Sequence, residues 1–310
     1  MKAVIINGYG GPEVLQYQDA EIPAIQADEI LVQVYYAGVS PFDAHVRAGW
    51  FQNATHYQLP IILGWELSGI VAAVGGKVKK FKVGDAIFAH PSVYRNGGVY
   101  AEFVAVKESE AAPKPPAVSH EQAAAVAMNA LTAWQALFDM AKLSKGQTVL
   151  IHAAAGGVGH LAVQLAKWKG AKVIGVASAG NREFLIDLGV DQFIDYTSER
   201  FEERVKAVDV VLDTMGGEIL TKSFSIVKKN GVIVSLVDFN QIKQAASFGV
   251  KGLNLIVEPH ADQLVQIGEL MVMGNLRAYI AQVFSLKEAS QAHHLIDSGH
   301  VRGKILLKMG

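Results

Sequence analysis

The stretch Thr148 to Lys169, TVLIHAAAGGVGHLAVQLAKWK, constrains the fold more than any other part of the chain. It reads as strand, glycine turn and helix. Thr148 to Ala153 is a short apolar, partly β-branched run, the composition of a buried parallel strand. Gly156, Gly157, Val158 and Gly159 follow at once. Val158, Leu161, Ala162 and Leu165 then fall on one helical face. Glycines let the backbone approach a pyrophosphate, and a helix N-terminus presents free N–H groups with a partial positive charge. The fingerprint is G-x-G-x-x-G; here Ala154 takes the first glycine position, leaving A-x-G-x-x-G. With a strand before it and a helix after it, the turn favours dinucleotide binding over a plain structural bend.

The next strand, Lys172 to Ala177, bears on which dinucleotide. An NAD-type site places a carboxylate about 20 residues after the glycine turn, on the ribose 2′-hydroxyl. Here the strand runs out into Ser178-Ala-Gly-Asn-Arg182, and the first acid, Glu183, lies beyond it. A small hydroxyl and an arginine suit a 2′-phosphate, because guanidinium matches phosphate oxygens in a charge-assisted fork. NADPH is favoured over NADH. The bland reading makes Arg182 an ordinary surface charge at a helix start.

A chain of 310 residues has room for two domains. Half of it is hydrophobic, 51%, which suits a large α/β core. The net charge of −1, without a basic run, argues against a nucleic-acid partner. The absence of cysteine excludes disulfides, thiol catalysis and thiolate metal sites. No apolar run approaches the roughly 18 residues of a membrane span, and the apolar run at the start is too short for a signal peptide. The default expectation is a cytoplasmic protein.

Residues 1–112 read as mostly β, with strands at Lys2–Ile6, Glu29–Tyr36, Gly64–Val74, Lys82–Ala89 and Val99–Val106 between turn clusters. Short, turn-punctuated strands predict a compact barrel-like domain. Pro113-Lys-Pro-Pro116 marks a boundary. Ser119 caps an alanine-rich helix reaching Leu137. From Thr148 strands and helices alternate, with strands at 148–153, 172–177, 192–195, 208–213 and 232–237 and one more near 253–257. This is a doubly wound parallel sheet. Helices are expected at Ala261–Met273 and Phe284–Ile296. The last strand, Lys304–Lys308, is expected to return to the first domain.

The order of pieces, a β domain, Ala130-Leu-Thr-Ala-Trp-Gln-Ala136, an AAGGVG turn and the ending Gly299-His-Val-Arg-Gly-Lys-Ile305, resembles the zinc-free quinone oxidoreductase branch of the medium-chain dehydrogenase/reductases, which includes zeta-crystallin. The likeness spans essentially the whole chain. It implies a GroES-like, β-rich catalytic domain, residues 1–117 completed by 260–310. It also implies a Rossmann NADP-binding domain at 118–259, an active site in the cleft between the two, and a homodimer. Zinc-dependent relatives carry cysteine in G-V-C-x-x-D and histidine in Gly-His-Glu. Here the positions read Gly38-Val-Ser-Pro-Phe-Asp43 and Gly64-Trp-Glu66. Ser40 and Trp65 are poor zinc ligands, and Glu66 with a histidine is a disfavoured substitute. No G-x-S-x-G elbow is present, nor a tyrosine followed four residues later by lysine. His293 and His294 are read as surface or packing residues.

A reductase without a metal must hold its acceptor and stabilise developing negative charge with hydrogen bonds. The resemblance puts Ser40 where relatives carry asparagine beside the nicotinamide; capping the turn before Pro41 is the plainer role. Asp43 reads as structural, tying the loop to Arg47. Trp50, Phe51 and Tyr57 match the loop lining the substrate cleft in relatives and suit a flat quinone or enone, with Tyr57 the candidate hydroxyl for the substrate carbonyl. Gly156, Gly157 and Val158 should face the pyrophosphate, and Ser178 and Arg182 the 2′-phosphate. Tyr196 matches a position near the adenine, Thr132 one near the nicotinamide. Leu236 and Val237 end a strand at the carboxyl edge of the sheet, where nucleotides lie. The expected activity is NADPH-dependent, metal-free reduction of quinones or α,β-unsaturated carbonyls. The rivals are an enoyl-thioester or alkenal double-bond reductase and a non-catalytic NADPH-binding sensor or structural protein.

Overall fold

The computed structural model describes residues 1–53, 57–95 and 97–310. The chain divides into two compact units, residues 1–131 with 258–310, and residues 132–257. Alternating side chains build the first unit. Its N-terminal part supplies strands β1 (Lys2–Ile6), β2 (Leu15–Asp19), β3 (Glu29–Val39), β4 (Ile61–Ile62), β5 (Leu67–Val74), β6 (Ala86–Ala89), β7 (Phe103–Lys107) and β8 (Ala111–Pro113), with helix α1 (Pro41–Arg47) following β3. Helix α2 (His120–Trp134) comes next, capped by the Ser119 hydroxyl, which accepts from Gln122 N–H at 3.1 Å.

The second unit alternates strand and helix. It holds β9 (Thr148–Ile151), α3 (Gly159–Trp168), β10 (Lys172–Ala177), α4 (Arg182–Asp187), β11 (Gln192–Asp195) and α5 (Phe201–Arg204). Strand β12 (Val208–Asp213), α6 (Gly217–Ser223), β13 (Val227–Ser235) and β14 (Lys251–Asn254) complete it. The sheet is all parallel, in the order β11-β10-β9-β12-β13-β14. In sequence terms that is 3-2-1-4-5-6, the doubly wound order whose switch point lies between the first and fourth strands. Val149, Leu150, Ile151, Val211 and Leu212 are fully buried, as strands covered on both faces require.

Helix α7 (Ala261–Val272), β15 (Ile280–Ser285), α8 (Ala289–Asp297) and β16 (Lys304–Lys308) return to the first unit. The helix expected at Phe284–Ile296 is shorter at its start: residues up to Ser285 form β15, because Ile280–Ser285 pairs in parallel with β16. Strand β16 lies antiparallel against the end of β3, Ile305 opposite Val39 and Lys308 opposite Tyr36. Strand β7 pairs with the start of β3, and β5 runs along its other edge. β3 is therefore the spine of a seven-stranded sheet, and β2-β1-β4 form a second, small one.

One ion pair holds this spine. Lys304 and Glu66 are both buried, and the Lys304 Nζ donates to Glu66 Oε1 and, at 3.2 Å, to the Val39 carbonyl. Glu66 Oε2 accepts from the Met128 N–H. Burial pushes the Glu66 carboxyl up, and Lys304 pulls it back. Residue 38 must be glycine here, since a Cβ would fall 2.3 Å from Glu66 Oε1. Lys304→Met should lower the unfolding free energy by about 3–5 kcal/mol, the cost of stranding a buried charge. Urea denaturation checks this, and Glu66→Gln in the same chain should restore much of the loss, since no charge is then left unpaired.

Candidate active site and nucleotide site

In the second unit the turn after β9 is shaped by close approach. A Cβ on Gly159 would lie 2.2 Å from the Ala153 carbonyl oxygen, so only glycine lets α3 start this near the strand. Ala153 itself adopts φ +45°, a conformation that costs a non-glycine residue energy. Ala154, at the first fingerprint position, donates its N–H to Val176 of β10. The Gly156 N–H returns to Ala153 O. Among the described residues the N–H groups of Gly157 and Val158 bond to nothing in the fold, and they open α3. Two free donors at the positive end of a ten-residue helix form an anion cradle.

The carboxyl edge of the sheet supplies the rest. Asp213, buried at the end of β12, accepts from the N–H groups of Met215 and Gly216 and from the Ser235 hydroxyl. These bonds fix the two loops beyond β12 and β13, and Leu236 and Val237 follow on the second, Val237 half exposed. His152 is buried and held neutral, its pKa lowered to about 4 by burial. The Ser223 hydroxyl donates to Ile219 O, so the His152 Nε2–H donates to Ser223.

β10 ends at Ala177, and Ser178, Asn181 and Arg182 follow at the start of α4. The Asn181 amide donates to the Ser178 hydroxyl at 3.1 Å. Arg182 is exposed, lies over the Phe193 ring at 5.5 Å and has no carboxylate partner among the described residues. The nearest acid of the next strand, Asp195, is occupied by Thr197 and Ser198. Tyr196, 53% exposed, follows β11 and donates its N–H to Ala177 O. Ser178, Arg182 and Tyr196 thus gather at the ends of two neighbouring strands, and the Asp195 carboxylate beside them also accepts from the Ala179 N–H, so it is committed to the loop. Such a set fits a dinucleotide carrying a 2′-phosphate. Thr132 is buried near the end of α2.

In the first unit Ser40 caps α1. Its hydroxyl accepts from Asp43 N–H and donates to Asp43 Oδ2, which also accepts the Ser40 N–H at 2.8 Å. The S-x-x-D spacing is a capping box readable in the sequence. The expected tie between Asp43 and Arg47 is corrected. Arg47 instead donates to Gly10 O, His293 Nδ1 and Asp297; although the i,i+4 spacing would allow the tie, the Asp43 carboxylate is taken by the Ser40 cap and α8 offers Arg47 its acceptors. His293 is accordingly a buried packing residue.

Beside the cap, Phe42 is at the centre of an aromatic group with Phe51, Tyr57 and Trp65, ring centroids 5.0–6.4 Å away. Trp50 is 70% exposed and stacks on His45 at 3.9 Å. Tyr57 is buried, and its hydroxyl donates to the Val93 carbonyl. Burial pushes its pKa up. This hydroxyl is committed to the loop, which counts against its expected role as the donor to a substrate carbonyl. Among the described residues no cluster of histidine, aspartate or glutamate is spaced to hold a metal ion, and no helix is long and apolar enough to cross a membrane.

Two family descriptions match the chain, Alcohol dehydrogenase GroES-like domain over residues 26–116 and Zinc-binding dehydrogenase over 188–307. The quinone oxidoreductase from Coxiella burnetii superposes with TM-score 0.95, 35% identity and 99% of both chains covered. The Escherichia coli quinone oxidoreductase complexed with NADPH gives TM-score 0.91 and 29% identity over 99% of this chain and 100% of that one. The NADPH-dependent alkenal/one oxidoreductase of Arabidopsis thaliana is 31% identical over 99% of this chain and 79% of its own length. The chain belongs to the zinc-free quinone oxidoreductase family of the medium-chain dehydrogenase/reductases, a family of oxidoreductases with a GroES-like and a Rossmann-like domain.

Gly159→Ala tests the turn. The added methyl meets backbone, which cannot swing aside, so the substitution should cost about 1–3 kcal/mol and weaken dinucleotide binding. Thermal unfolding with and without dinucleotide reads both effects.

Proposed function

We propose that the protein reduces a quinone or an α,β-unsaturated carbonyl with NADPH and without a metal ion. The observation that carries this reading is the group Ser178, Asn181 and Arg182 at the end of β10, whose guanidinium has no carboxylate partner among the described residues while the nearby Asp195 carboxylate is taken up by the Ala179 N–H, Thr197 and Ser198. A ribose 2′-phosphate satisfies these donors, and a 2′-hydroxyl leaves Arg182 idle. Gly156, Gly157 and Val158 hold the pyrophosphate, Tyr196 flanks the adenosine, and Thr132, Leu236 and Val237 serve the nicotinamide half. When bound, the cofactor supplies a hydride. Ser40 presents a hydroxyl to the acceptor, and Trp50 and Phe51 offer flat apolar faces to a conjugated ring. In this reading Tyr57 supports the aromatic wall.

The relatives' names favour both acceptor classes, quinones and alkenals or alkenones. The domain limits we adopt are 1–117 with 260–310 for the catalytic part and 118–259 for the nucleotide part. A homodimer is part of the proposal. Strand β14 is the sheet's edge, and the exposed Phe248 and Ile256 flank it, so a second copy could pair there.

Chelator-treated protein should consume NADPH but not NADH when given a simple quinone or a short enone. The faster acceptor assigns the class. Arg182→Ala should weaken NADPH binding roughly tenfold and leave NADH binding unchanged, measured by nucleotide fluorescence. Tight NADPH binding without turnover of any acceptor would favour a sensor, and activity lost on chelation and restored by zinc would overturn the metal-free reading.

A further inference from the structure

Asp43 is 2% exposed, and among the described residues no cation makes contact with it. Its Oδ2 accepts from the Ser40 N–H and hydroxyl, and among the described residues its Oδ1 has no hydrogen-bond partner. The groups around it come from several elements. Arg47 on α1 donates to His293 Nδ1 at 2.9 Å, because a guanidinium has only donors to give. His293 is neutral, its pKa lowered to about 3, chiefly by burial. Its one hydrogen is therefore on Nε2, which donates to the Tyr100 oxygen at 3.2 Å. The Tyr100 hydrogen is left to face Asp43, which lies beside it. Asp297 on α8 neutralises Arg47. Lys304 and Glu66, bound to each other, act on Asp43 only from a distance and with opposite signs.

We propose that Asp43 is a proton store that passes its proton to the reduced substrate through the Ser40 hydroxyl. This rests on the reading that Ser40 meets the acceptor. With Asp43 ionised, the Ser40 hydrogen points at the carboxylate and cannot serve a substrate. With Asp43 protonated, the carboxyl O–H donates to Ser40 Oγ, and the Ser40 hydrogen is released toward the acceptor. NADPH delivers two electrons and one hydrogen as hydride, leaving an enolate or hydroquinone anion. That anion takes the Ser40 proton as the Oγ–H bond breaks. Ser40 Oγ takes the Asp43 proton as the carboxyl O–H bond breaks. The Asp43 carboxylate regains one proton from water through Ser40 after product leaves. Per turnover, acceptor, NADPH and one proton give reduced acceptor and NADP⁺. Asp43 acts through Ser40 and is a positioning residue.

The carboxyl is poised for this. Burial lifts its pKa to about 6, and the Ser40 hydrogen bonds and distant Lys304 oppose the rise. The protonated form is competent, so kcat/KM should be level below pH 6 and fall about tenfold per pH unit above it. Asp43→Asn keeps an oxygen to accept both Ser40 bonds and cannot titrate. It should fold, bind NADPH as before, lose on the order of 100-fold in kcat/KM and lose the pH dependence near 6. Difference infrared spectra of the unliganded protein should show a carboxyl titrating near pH 6 in the wild type and missing in Asp43→Asn. Ser40→Thr, which keeps the hydroxyl, should retain the profile. If Asp43→Asn does not fold, Tyr100→Phe serves: removing that donor should move both the infrared titration and the kinetic inflection to higher pH. An unchanged pH profile in Asp43→Asn, or no titrating carboxyl in the wild type, overturns the store while quinone or enone turnover stands. Wild-type protein that reduces no acceptor overturns the functional reading and the store with it, whatever the infrared titration gives.

Discussion

A buried lysine is tolerable only where its charge is met, and in this chain meeting it organises a large part of the first unit. Lys304 lies 238 residues from Glu66 along the sequence, and the two close on each other and on the Val39 carbonyl. Val39 is the last residue of β3, and Ser40 opens α1 directly after it. The pair therefore fixes the backbone from which the capping serine emerges. It also sets the register of β16 against β3, since Ile305 must then stand opposite Val39. A shift by one residue would turn Ile305 and Leu307 to the opposite face and strand the ammonium.

The second unit solves a different problem. Its parallel strands are buried on both faces, so their polar ends collect at one edge. There the chain places helix N–H groups, small hydroxyls, an amide and an arginine, and commits the nearby acids to the loops. Asp213 holds two turn N–H groups and Ser235, and Asp195 holds Thr197 and Ser198. Carboxylates left loose at that edge would repel a phosphate; used as turn anchors they shape the edge and leave its donors available.

Much of this edge was legible in the sequence because its signals are local. The glycine turn, the strand before it, the helix after it and the acid missing after β10 are all read within about 35 residues. The parallel alternation followed from periodicity. The first unit was harder. Its longer strands were expected in about the right places, but β2 and the short β4 and β8 were missed, and β15 was not seen, its last two residues being read as the start of a helix, because its partner β16 lies 19 residues on. The roles of Asp43, Arg47 and Tyr57 depend on partners 36–250 residues away, or on a choice between acceptors that spacing cannot make. Ser40-x-x-Asp43 is the exception: its three-residue spacing is a capping box, and in the proposed function the same serine also meets the acceptor, which gives it two roles. Spacing alone discloses the first.

Those two roles need not conflict, because the first unit buries two carboxylates in unlike company. Glu66 has a lysine at contact, so protonating it would break an ion pair and leave Lys304 stranded. Among the described residues Asp43 has only neutral company, the Ser40 N–H and hydroxyl bonded to it and the Tyr100 hydroxyl beside it, and none of these is stranded when it gains a proton. A hydroxyl can reverse from donor to acceptor by turning about one bond. The Ser40 N–H bond to Oδ2 needs no such reversal, so the helix cap survives in both protonation states. What the protonation state decides is where the Ser40 hydrogen points, and that is a chemical matter, settled beside an aromatic wall while the helix cap stays formed.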